Sequence, residues 1–367
     1  MTSETTAGGL VGQELIGRGT PAPDGAGAGA TGPEVPSPAE ATEEERRRRR
    51  RLILLLMGLL ALLGILLTIA LWYFLFRKPL PLPQIVNVPM PGYQTSIYGA
   101  QSPLGIAVTP DGSRIYVADT EGDRVVRVFA LSGAELMTLE PPAETGAEHV
   151  PIWVAVNPVT ADVYVSDRPT GQIYVYDQDG VFAQTFAPTT AIPGWQPAGI
   201  TFDATGNVLI TDLGGPAARV ELFDPSGNLL RTFGEQDRLW FPNGVAVDKR
   251  GNVYVADSNN GRLLVYAPDG TLVSQVGRGV GIGKLGLPRG LSIDDEGRVQ
   301  VCDPTAQGVH VFRVLGEGAT ELQYLGFFGS QGIGDGQLSF PNGVASDARG
   351  RVYITDTGNS RIQVWSY

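Results

Sequence analysis

From residue 103 to the C-terminus, apolar and polar residues alternate in short runs separated by turn-forming residues. In one stretch these runs cover residues 245–247, 253–256, 263–266 and 271–276. An apolar residue at every second position is the pattern of a β-strand with one buried face. The Asp, Asn, Pro and Gly residues between the runs are those that tight turns require. The pattern therefore predicts an all-β protein built from units of four short strands.

The four-strand unit recurs six times along the chain. Each copy opens on a proline, and the prolines lie 45 to 53 residues apart: Pro103, Pro151, Pro197, Pro242, Pro288 and Pro341. That period is typical of a propeller blade. The middle residue of the first strand is small in every copy: Ala107, Ala155, Thr201, Ala246, Ser292 and Ala345. Small residues fit the strand nearest the axis, where blades converge, so we predict a six-bladed β-propeller.

The sixth copy ends at Tyr367, after its third strand, and therefore lacks a fourth. Residues 93–99, ahead of the first copy, resemble the fourth-strand endings at residues 230–234 and 324–329. We therefore predict that this N-terminal strand completes the last blade and closes the ring. Closure removes the open sheet edges that promote aggregation.

The sequence of residues 242–248, 251–257 and 262–266 resembles the NHL repeat, and residues 341–365 repeat it closely. The NHL repeat builds six-bladed β-propellers, so the resemblance implies that fold over residues 84–367. The second copy departs from the pattern, because Trp153 replaces a glycine and Gln172 replaces an arginine. These departures make the ring asymmetric without threatening the fold.

An uncharged apolar run of 25 residues, 52–76, precedes the repeats. Its length predicts one transmembrane helix. Six arginines, residues 46–51, lie before it, against only Arg77 and Lys78 after it. The positive-inside rule then predicts a single-pass membrane protein with a cytoplasmic N-terminus and an extracytoplasmic propeller. A cleaved signal peptide is the alternative, but the run is too long and no cleavage site follows it.

Residues 1–51 are predicted to form a disordered cytoplasmic tail, because Gly, Ala, Pro, Thr and Glu cannot build a packed core. The tail either recruits a cytoplasmic partner or is simply solvated. Residues 46–78 are expected to contact membrane lipid through their basic residues. The alternating prolines of residues 77–83 predict a short polyproline II linker.

Charge argues against one class of partner for the propeller, although a local basic patch over two blades stays open: Arg231, Arg238, Arg250, Arg262, Arg278, Lys284 and Arg289. Nine of the 27 basic residues and eight of the 38 acidic ones precede residue 79, which leaves 18 basic against 30 acidic residues. Because nucleic-acid binding needs phosphate neutralisation, we expect no nucleic acid to bind. Cys302 is the only cysteine, so no disulfide can form within the chain. Its register in the second strand predicts a small buried residue.

One acid ends the second strand of every copy: Asp119, Asp167, Asp212, Asp257, Asp303 and Asp356. Each precedes a polar loop, where a carboxylate accepts backbone N–H bonds in an Asx-type turn. A basic or amide residue follows each of five of the acids, at five or seven residues: Arg124, Gln172, Arg219, Arg262 and Arg361. This repetition predicts structural acid–base pairs, and a ring of metal ligands is the alternative. His310 aligns with mostly polar positions and is predicted to be exposed.

The residues directly after the opening prolines are predicted to rim the central channel: Leu104, Ile152, Ala198, Asn243, Arg289 and Asn342. Nearby loops supply Trp153, Trp195 and Trp240, followed by Phe241 and Phe340. Aromatic side chains beside arginine and amides are typical of sites for proteins, peptides or sugars. Asn243, Arg289, Asn342 and the three tryptophans are therefore the candidate ligand-binding residues. The alternative is that the aromatics only pack the blades.

These features favour a membrane-tethered, non-enzymatic binding, sensor or scaffold module for a protein, peptide or glycan. The arrangement is similar to the extracellular sensor region of bacterial membrane-bound kinases built on this propeller, although no kinase domain precedes the apolar run. The alternative function is a metal-dependent propeller hydrolase or lyase, lactonase-like or amidating-lyase-like. No catalytic residue, metal ligand or cofactor is assigned, and Ca²⁺ or another divalent ion in the channel stays open because carboxylates and amides suffice to bind it.

Overall fold

The computed structural model describes residues 38–76, 88–142, 146, 148–278, 282–316, 318 and 321–367. The chain divides into two compact units, Met1–Gln84 and Ile85–Tyr367. The predicted linker over residues 77–83 and the part of the predicted tail before residue 38 lie outside the described residues.

The first unit contains one long helix, α1, over Pro38–Phe76. It starts well before residue 52, the predicted start, so the arginine run is helical. Proline is favoured in the first turn of a helix, and Arg47 contacts Glu43 at 3.4 Å one turn away, a pairing that supports an exposed helix. Within α1, the stretch Glu45–Ile69 is long and apolar enough to cross a membrane.

The second unit begins with β1, Gly92–Tyr98. Three four-stranded antiparallel sheets follow, each in the chain order of its strands. Blade 1 contains β2 Pro103–Val108, β3 Ile115–Asp119, β4 Val126–Phe129 and β5 Glu135–Leu139. Blade 2 contains β6 Pro151–Val156, β7 Val163–Asp167, β8 Gln172–Tyr176 and β9 Phe182–Phe186. Blade 3 contains β10 Pro197–Phe202, β11 Val208–Asp212, β12 Arg219–Phe223 and β13 Leu229–Phe233.

Three further sheets complete the ring. Blade 4 contains β14 Pro242–Val247, β15 Val253–Asp257, β16 Arg262–Tyr266 and β17 Leu272–Val276. Blade 5 contains β18 Leu291–Ile293, β19 Arg298–Asp303, β20 Gly308–Leu315 and β21 Glu321–Phe328. A short parallel pair, β22 Ser330–Gln331 and β23 Gln337–Leu338, follows in the loop to blade 6. Blade 6 contains β24 Pro341–Ser346, β25 Arg351–Asp356 and β26 Arg361–Ser366.

The N-terminal strand closes the ring, as predicted. β1 pairs antiparallel with β26, with Gly92 opposite Ser366 and Tyr98 opposite Arg361. Blade 6 therefore has the strand order β1-β26-β25-β24 and combines both ends of the propeller sequence. The described residues form the predicted all-β, six-bladed propeller.

The hydrophobic core lies between neighbouring blades. One apolar cluster joins blades 4 and 5 around Tyr254, Leu263 and Phe312. Another joins blades 6 and 1, where Ile97 and Phe129 are buried together. Because each blade buries both faces against its neighbours, strands in the middle of a blade are apolar at successive positions, as in β15.

The innermost strands approach one another very closely. A Cβ at Gly290 of blade 5 would lie 2.5 Å from the carbonyl oxygen of Asn342 in blade 6. A Cβ at Gly105 of blade 1 would lie 2.6 Å from the Cα of Trp153 in blade 2. The glycine of the repeat is therefore needed where backbones of adjacent blades meet. The six small residues of the inner strands line an axial cavity of about 350 Å³.

Candidate functional site

The rim residues and the repeat acids lie at one end of the ring because the first two strands of each blade are antiparallel. Pro242 pairs with Asp257 and Pro341 with Asp356, so the start of the first strand adjoins the end of the second. We call this end the entry-loop face: it comprises the loops that precede each first strand and those that follow each second strand. The opposite end carries the hairpin turns between the first and second strands of each blade and between the third and fourth strands of blades 1 to 5.

The repeat acids are buried at this end, and none is more than 2% exposed: Asp119, Asp167, Asp212, Asp257, Asp303 and Asp356. Asp257 accepts the N–H of Trp240 at 2.7 Å, and Asp356 accepts the N–H of Ser339 at 2.6 Å. The other four acids bind the entry loop of their own blade in the same way. Each carboxylate thus fixes its entry loop to its second strand.

The side-chain partners of the acids vary between blades. In blades 3, 4 and 6 an arginine donates at 2.6 to 2.7 Å: Arg219 to Asp212, Arg262 to Asp257 and Arg361 to Asp356. In blade 1 the partner is Arg127 at 2.9 Å, whereas Arg124 contacts Glu148. Arg124 lies in a left-handed turn before the strand (φ 56°), and Arg127 lies on the strand itself.

In blades 2 and 5, no arginine pairs with the repeat acid among the described residues. In blade 2, Asp167 accepts the hydroxyl of Thr170 at 2.7 Å and lies 3.5 Å from Nδ1 of His149. In blade 5, the imidazole of His310 lies 3.9 Å from Asp303. Across the described residues, no three His, Cys, Asp or Glu side chains are grouped to hold a metal ion.

The exposed position predicted for His310 is wrong, because only 7% of the residue is exposed. Its ring contacts those of Phe312, Tyr324 and Phe327, at centroid distances of 4.9 to 6.2 Å. Burial lowers the pKa of His310, and the neighbouring Asp303 opposes this only in part. Its polar register was misleading, since the same strand position in blade 1 is Arg127, which faces the blade acid.

Asn243 and Asn342 have equivalent positions and equivalent bonds. The amide of Asn243 donates to the hydroxyl of Ser258 at 2.7 Å, and that of Asn342 donates to Thr357 at 2.9 Å. Both amides also donate to the carbonyl of the aromatic residue two positions earlier. Their donors are therefore engaged in holding the loops.

The three tryptophans predicted as ligand-binding residues have different environments. Trp240 is 60% exposed on the entry-loop face. Trp195 is partly buried beside the core between blades 2 and 3 and lines a pocket. Trp153 packs against the same core and lines the axial cavity instead. Trp153 therefore lies at a different site from Trp195 and Trp240.

Two aromatic residues of this face have an unusual backbone conformation. Phe241 and Phe340 directly precede the opening prolines of blades 4 and 6, with φ angles of 59° and 49°. A left-handed conformation is unfavourable for a bulky residue and clusters at ligand sites. Phe340 is 59% exposed despite its size.

Arg289 and Arg168 carry charge on this face without an acidic partner in the described part of the chain. Nε of Arg289 is buried and has no hydrogen-bond acceptor among the described residues. Burial lowers the pKa of Arg289, and the positive charge of Arg168 lowers it further. Arg168 is exposed in the loop that follows β7.

A pocket of about 540 Å³ opens on the entry-loop face between blades 2 and 3 and reaches Phe241 of blade 4. Ile152, Trp195, Leu213 and Phe241 form its apolar wall, and Arg168 supplies a charge. Of these, Arg168 and Leu213 escaped prediction because they lie in loops after the second strand, where the repeat varies in sequence. The only feature of the sequence that could have identified them is that each directly follows a repeat acid.

Comparison with known proteins agrees with this architecture. The NHL repeat model matches residues 239–266 and 338–365. The chain is 32% identical to Protein brain tumor of Drosophila melanogaster over 134 residues, which is 36% of this chain and 12% of that protein. It is 29% identical to NHL repeat-containing protein 3 of Mus musculus over 177 residues, 43% of this chain and 50% of that protein. The matched region thus spans at most half the length of these relatives.

Solved structures share the fold at low identity. A streptogramin B lyase structure superposes with a TM-score of 0.52 and 13% identity, covering 76% of this chain and 98% of that one. The RRP9 WD40 repeats superpose with a TM-score of 0.55 and 13% identity, covering 75% and 98%. At sequence identities this low, the similarity shows only that the fold is shared. The chain carries NHL repeats, and its repeats form a six-bladed β-propeller.

Proposed function

We propose that the propeller is a non-enzymatic binding module whose entry-loop face captures a protein or peptide partner. The proposal rests on a difference between side chains of that face, some of which are buried and hydrogen-bonded while others are exposed. The repeat acids are buried and hydrogen-bonded, whereas Trp240 and Phe340 are about 60% exposed. Repeat arrays commonly present an extended binding surface of this kind.

The exposed aromatics have the properties of interface anchors. Trp is among the residues that contribute most to binding free energy when it enters a partner's pocket. Phe340 is held in a strained conformation, and its N–H is bonded to the side chain of Gln307 at 2.9 Å. The loop is therefore fixed with its ring in solvent, which lowers the entropy cost of binding.

A random peptide library tests the binding surface while the natural partner is still unidentified. We would select displayed twelve-residue peptides on the full-length chain in detergent. Enriched peptides should lose about tenfold or more in affinity for a chain carrying Trp240→Ala and Phe340→Ala, as expected for hot-spot residues.

The control is a double substitution at the opposite end of the ring, Val159→Ala with Val181→Ala. Both valines are more than 60% exposed, in hairpin turns of blade 2. The control should bind the peptides as the parent does. Failure to enrich any peptide, or equal binding by the Trp240 and Phe340 variant, would overturn the proposed function.

We further propose that α1 anchors the chain in a membrane, with the N-terminus cytoplasmic and the propeller outside. The apolar side chains of α1 described between Leu52 and Leu71 are all exposed within the chain, as a lipid-facing helix requires. The arginine run at its N-terminal end favours this orientation.

Labelling of single cysteines in intact cells tests the orientation. Cys302 is fully buried, so an introduced cysteine provides the signal. Val181→Cys should react with a membrane-impermeant maleimide before lysis, and Ser3→Cys only after lysis. The reverse pattern would invert the topology, and recovery of the chain in the soluble fraction would exclude the anchor.

A further inference from the structure

Arg168 and Arg289 differ from the arginines of the entry-loop face that pair with the repeat acids. Arg127, Arg219, Arg262 and Arg361 each donate to a buried aspartate at 2.9 Å or less. Neither Arg168 nor Arg289 forms an ion pair within the described part of the chain, although the propeller is rich in acids. Arg289 is further distinguished by a buried Nε that has no acceptor among the described residues, and by the positive charge of Arg168 acting on it.

The two arginines come from opposite blades. The inner strand of blade 2, β6, contacts those of blades 1 and 3, whereas the inner strand of blade 5, β18, contacts those of blades 4 and 6. Arg289 occupies in blade 5 the rim position that Ile152 occupies in blade 2, and Ile152 lines the pocket together with Arg168. The two arginines therefore stand on opposite sides of the channel mouth, near enough for the charge of Arg168 to lower the pKa of Arg289.

This arrangement is unfavourable in the free protein. A guanidinium remains protonated at ordinary pH, so burial cannot be relieved by losing the proton. Nε of Arg289 is buried without an acceptor, and the charge of Arg168 opposes its own. An anion bound by both groups would supply the missing countercharge.

We propose that Arg168 and Arg289 bind a carboxylate of an acidic peptide segment, with an adjacent apolar side chain in the 540 Å³ pocket beside Trp195 and Phe241. This inference rests on the proposed function and names the chemistry of the partner. Arginine matches the planar carboxylate with two parallel hydrogen bonds. A nucleic acid is disfavoured because the 30 acidic residues after residue 79 outnumber the 18 basic ones.

The carboxylate has two peptide sources, which small probes distinguish. N-acetylaspartate N-methylamide represents an acidic side chain, and N-acetylglycine represents a chain terminus. N-acetylasparagine N-methylamide is the neutral control. Each is titrated into the full-length chain in detergent at constant ionic strength, and the melting temperature is recorded, because a ligand that binds only the folded state raises it.

We expect the aspartate probe to raise the melting temperature of the parent chain and the asparagine probe to leave it unchanged. Arg289→Met should abolish this rise. Without any probe, Arg289→Met should itself melt higher than the parent, because it removes a partly buried charge whose Nε has no acceptor among the described residues. Arg349→Met, an exposed arginine in the first hairpin turn of blade 6 at the opposite end, is the control and should behave as the parent.

A charge exchange gives an independent readout. Arg168→Glu replaces the positive charge that acts on Arg289 by a negative one. It should raise the melting temperature while abolishing the response to the aspartate probe. A response confined to N-acetylglycine would support a terminal carboxylate as the source. Equal probe responses in the parent and Arg289→Met, or no response in either, would overturn the proposal.

Failure of this inference can be told apart from failure of the binding function. If selected peptides lack acidic residues and bind Arg289→Met as they bind the parent, the carboxylate site is wrong while the binding surface stands. If no peptide is selected at all, the proposed function itself fails.

Discussion

Blades 5 and 6 solve the same structural problem in different ways. In blade 6, Asp356 accepts bonds from the side chains of Arg361, Asn359 and Gln363 at 2.7 to 2.9 Å. In blade 5, glycine stands where the arginine would be, and the imidazole of His310 lies 3.9 Å from Asp303. Both acids are nevertheless fully buried.

The comparison shows which bonds maintain the repeat. Asp303 accepts the N–H groups of Gly286 at 2.6 Å and Leu287 at 3.1 Å, and the hydroxyl of Thr305 at 2.6 Å. Burial alone would raise the pKa of Asp303, but these bonds outweigh it and the pKa is lowered. The Thr305 hydroxyl and the backbone donors of the entry loop, together with the charge effect of His310, therefore keep the pKa of this carboxylate low without an arginine.

The loss of the arginine in blade 5 has a steric cause. A Cβ at Gly308 would overlap the ring of Phe327 and lie 2.7 Å from the carbonyl oxygen of Phe328. Phe327 pairs with His310 across the sheet. The equivalent residues of the other blades are smaller or more flexible: Thr138, Thr185, Thr232, Gln275 and Ser96.

We expect the largest loss of stability when β1 is removed, because blade 6 differs from every other blade in depending on an N-terminal strand. Replacing residues 92–98 with a Gly-Ser segment of equal length removes β1 and buried Ile97. We expect a loss of roughly 5 kcal/mol in unfolding free energy, comparable with the whole stability of a marginal domain. Urea denaturation measures it.

The matched control for that replacement is the same change over β9, Phe182–Phe186, the outermost strand of blade 2. Four of its five residues are exposed, so its removal leaves the ring closed. A β1 variant no less stable than the β9 variant would contradict the role of ring closure.

The next largest effect on stability is expected from removing the side-chain partner of Asp356 or that of Asp303. Arg361→Met leaves Asp356 buried without its cation and should cost about 3 kcal/mol. His310→Met removes a more distant partner and should cost less than about 1 kcal/mol, because methionine fits an aromatic environment. Equal losses in denaturation midpoint for the two variants would show that the imidazole carries the same weight as the arginine.

A smaller effect tests the steric explanation. Gly308→Arg should destabilise by about 2 kcal/mol, because overpacking displaces the ring of Phe327 and strains the backbone. Adding Phe327→Thr, the residue found at this position in three other blades, should recover the part of the loss caused by the ring, while the contact with the carbonyl oxygen of Phe328 remains. If the second substitution gives no recovery, Phe327 is not the obstacle.

The smallest effect depends on pH. The folded pKa of His310 is lowered below its ordinary value of 6.5, so the unfolded chain binds the proton more readily. Stability contributed by the neutral imidazole is complete above pH 6.5 and declines as the pH falls below it, by at most about 1.4 kcal/mol per pH unit. His310→Gln, the residue that blade 6 has at this position, should flatten stability between pH 7 and 5.

The loss of stability that we attribute to protonation of His310 occurs in a different pH range from the loss due to Asp303. The lowered pKa of Asp303 means that its contribution is lost only below its ordinary value of 3.8. A His310→Gln chain with an unchanged slope between pH 7 and 5 would assign the decline to other groups.

Much of the fold was predictable because its signals are local. The alternation in residues 253–256 and the turn residues around Gly251 indicate strands without reference to the rest of the chain. The missing fourth strand after Tyr367 even indicated the closure by residues 93–99. The site was less predictable: Asn243 and Asn342 were predicted as ligand-binding residues of the channel rim, and the structure shows their amides bound to loop hydroxyls.

The sequence by itself determined the repeat, the strand order within a blade and the acid at the end of each second strand, because hydrogen-bonded hairpins depend on neighbouring residues. The tertiary structure decided that Arg127 rather than Arg124 pairs with Asp119, since register across strands selects the partner. It also decided that the charge of Arg168 acts on Arg289, because only closure of the ring brings residues of opposite blades to a common axis.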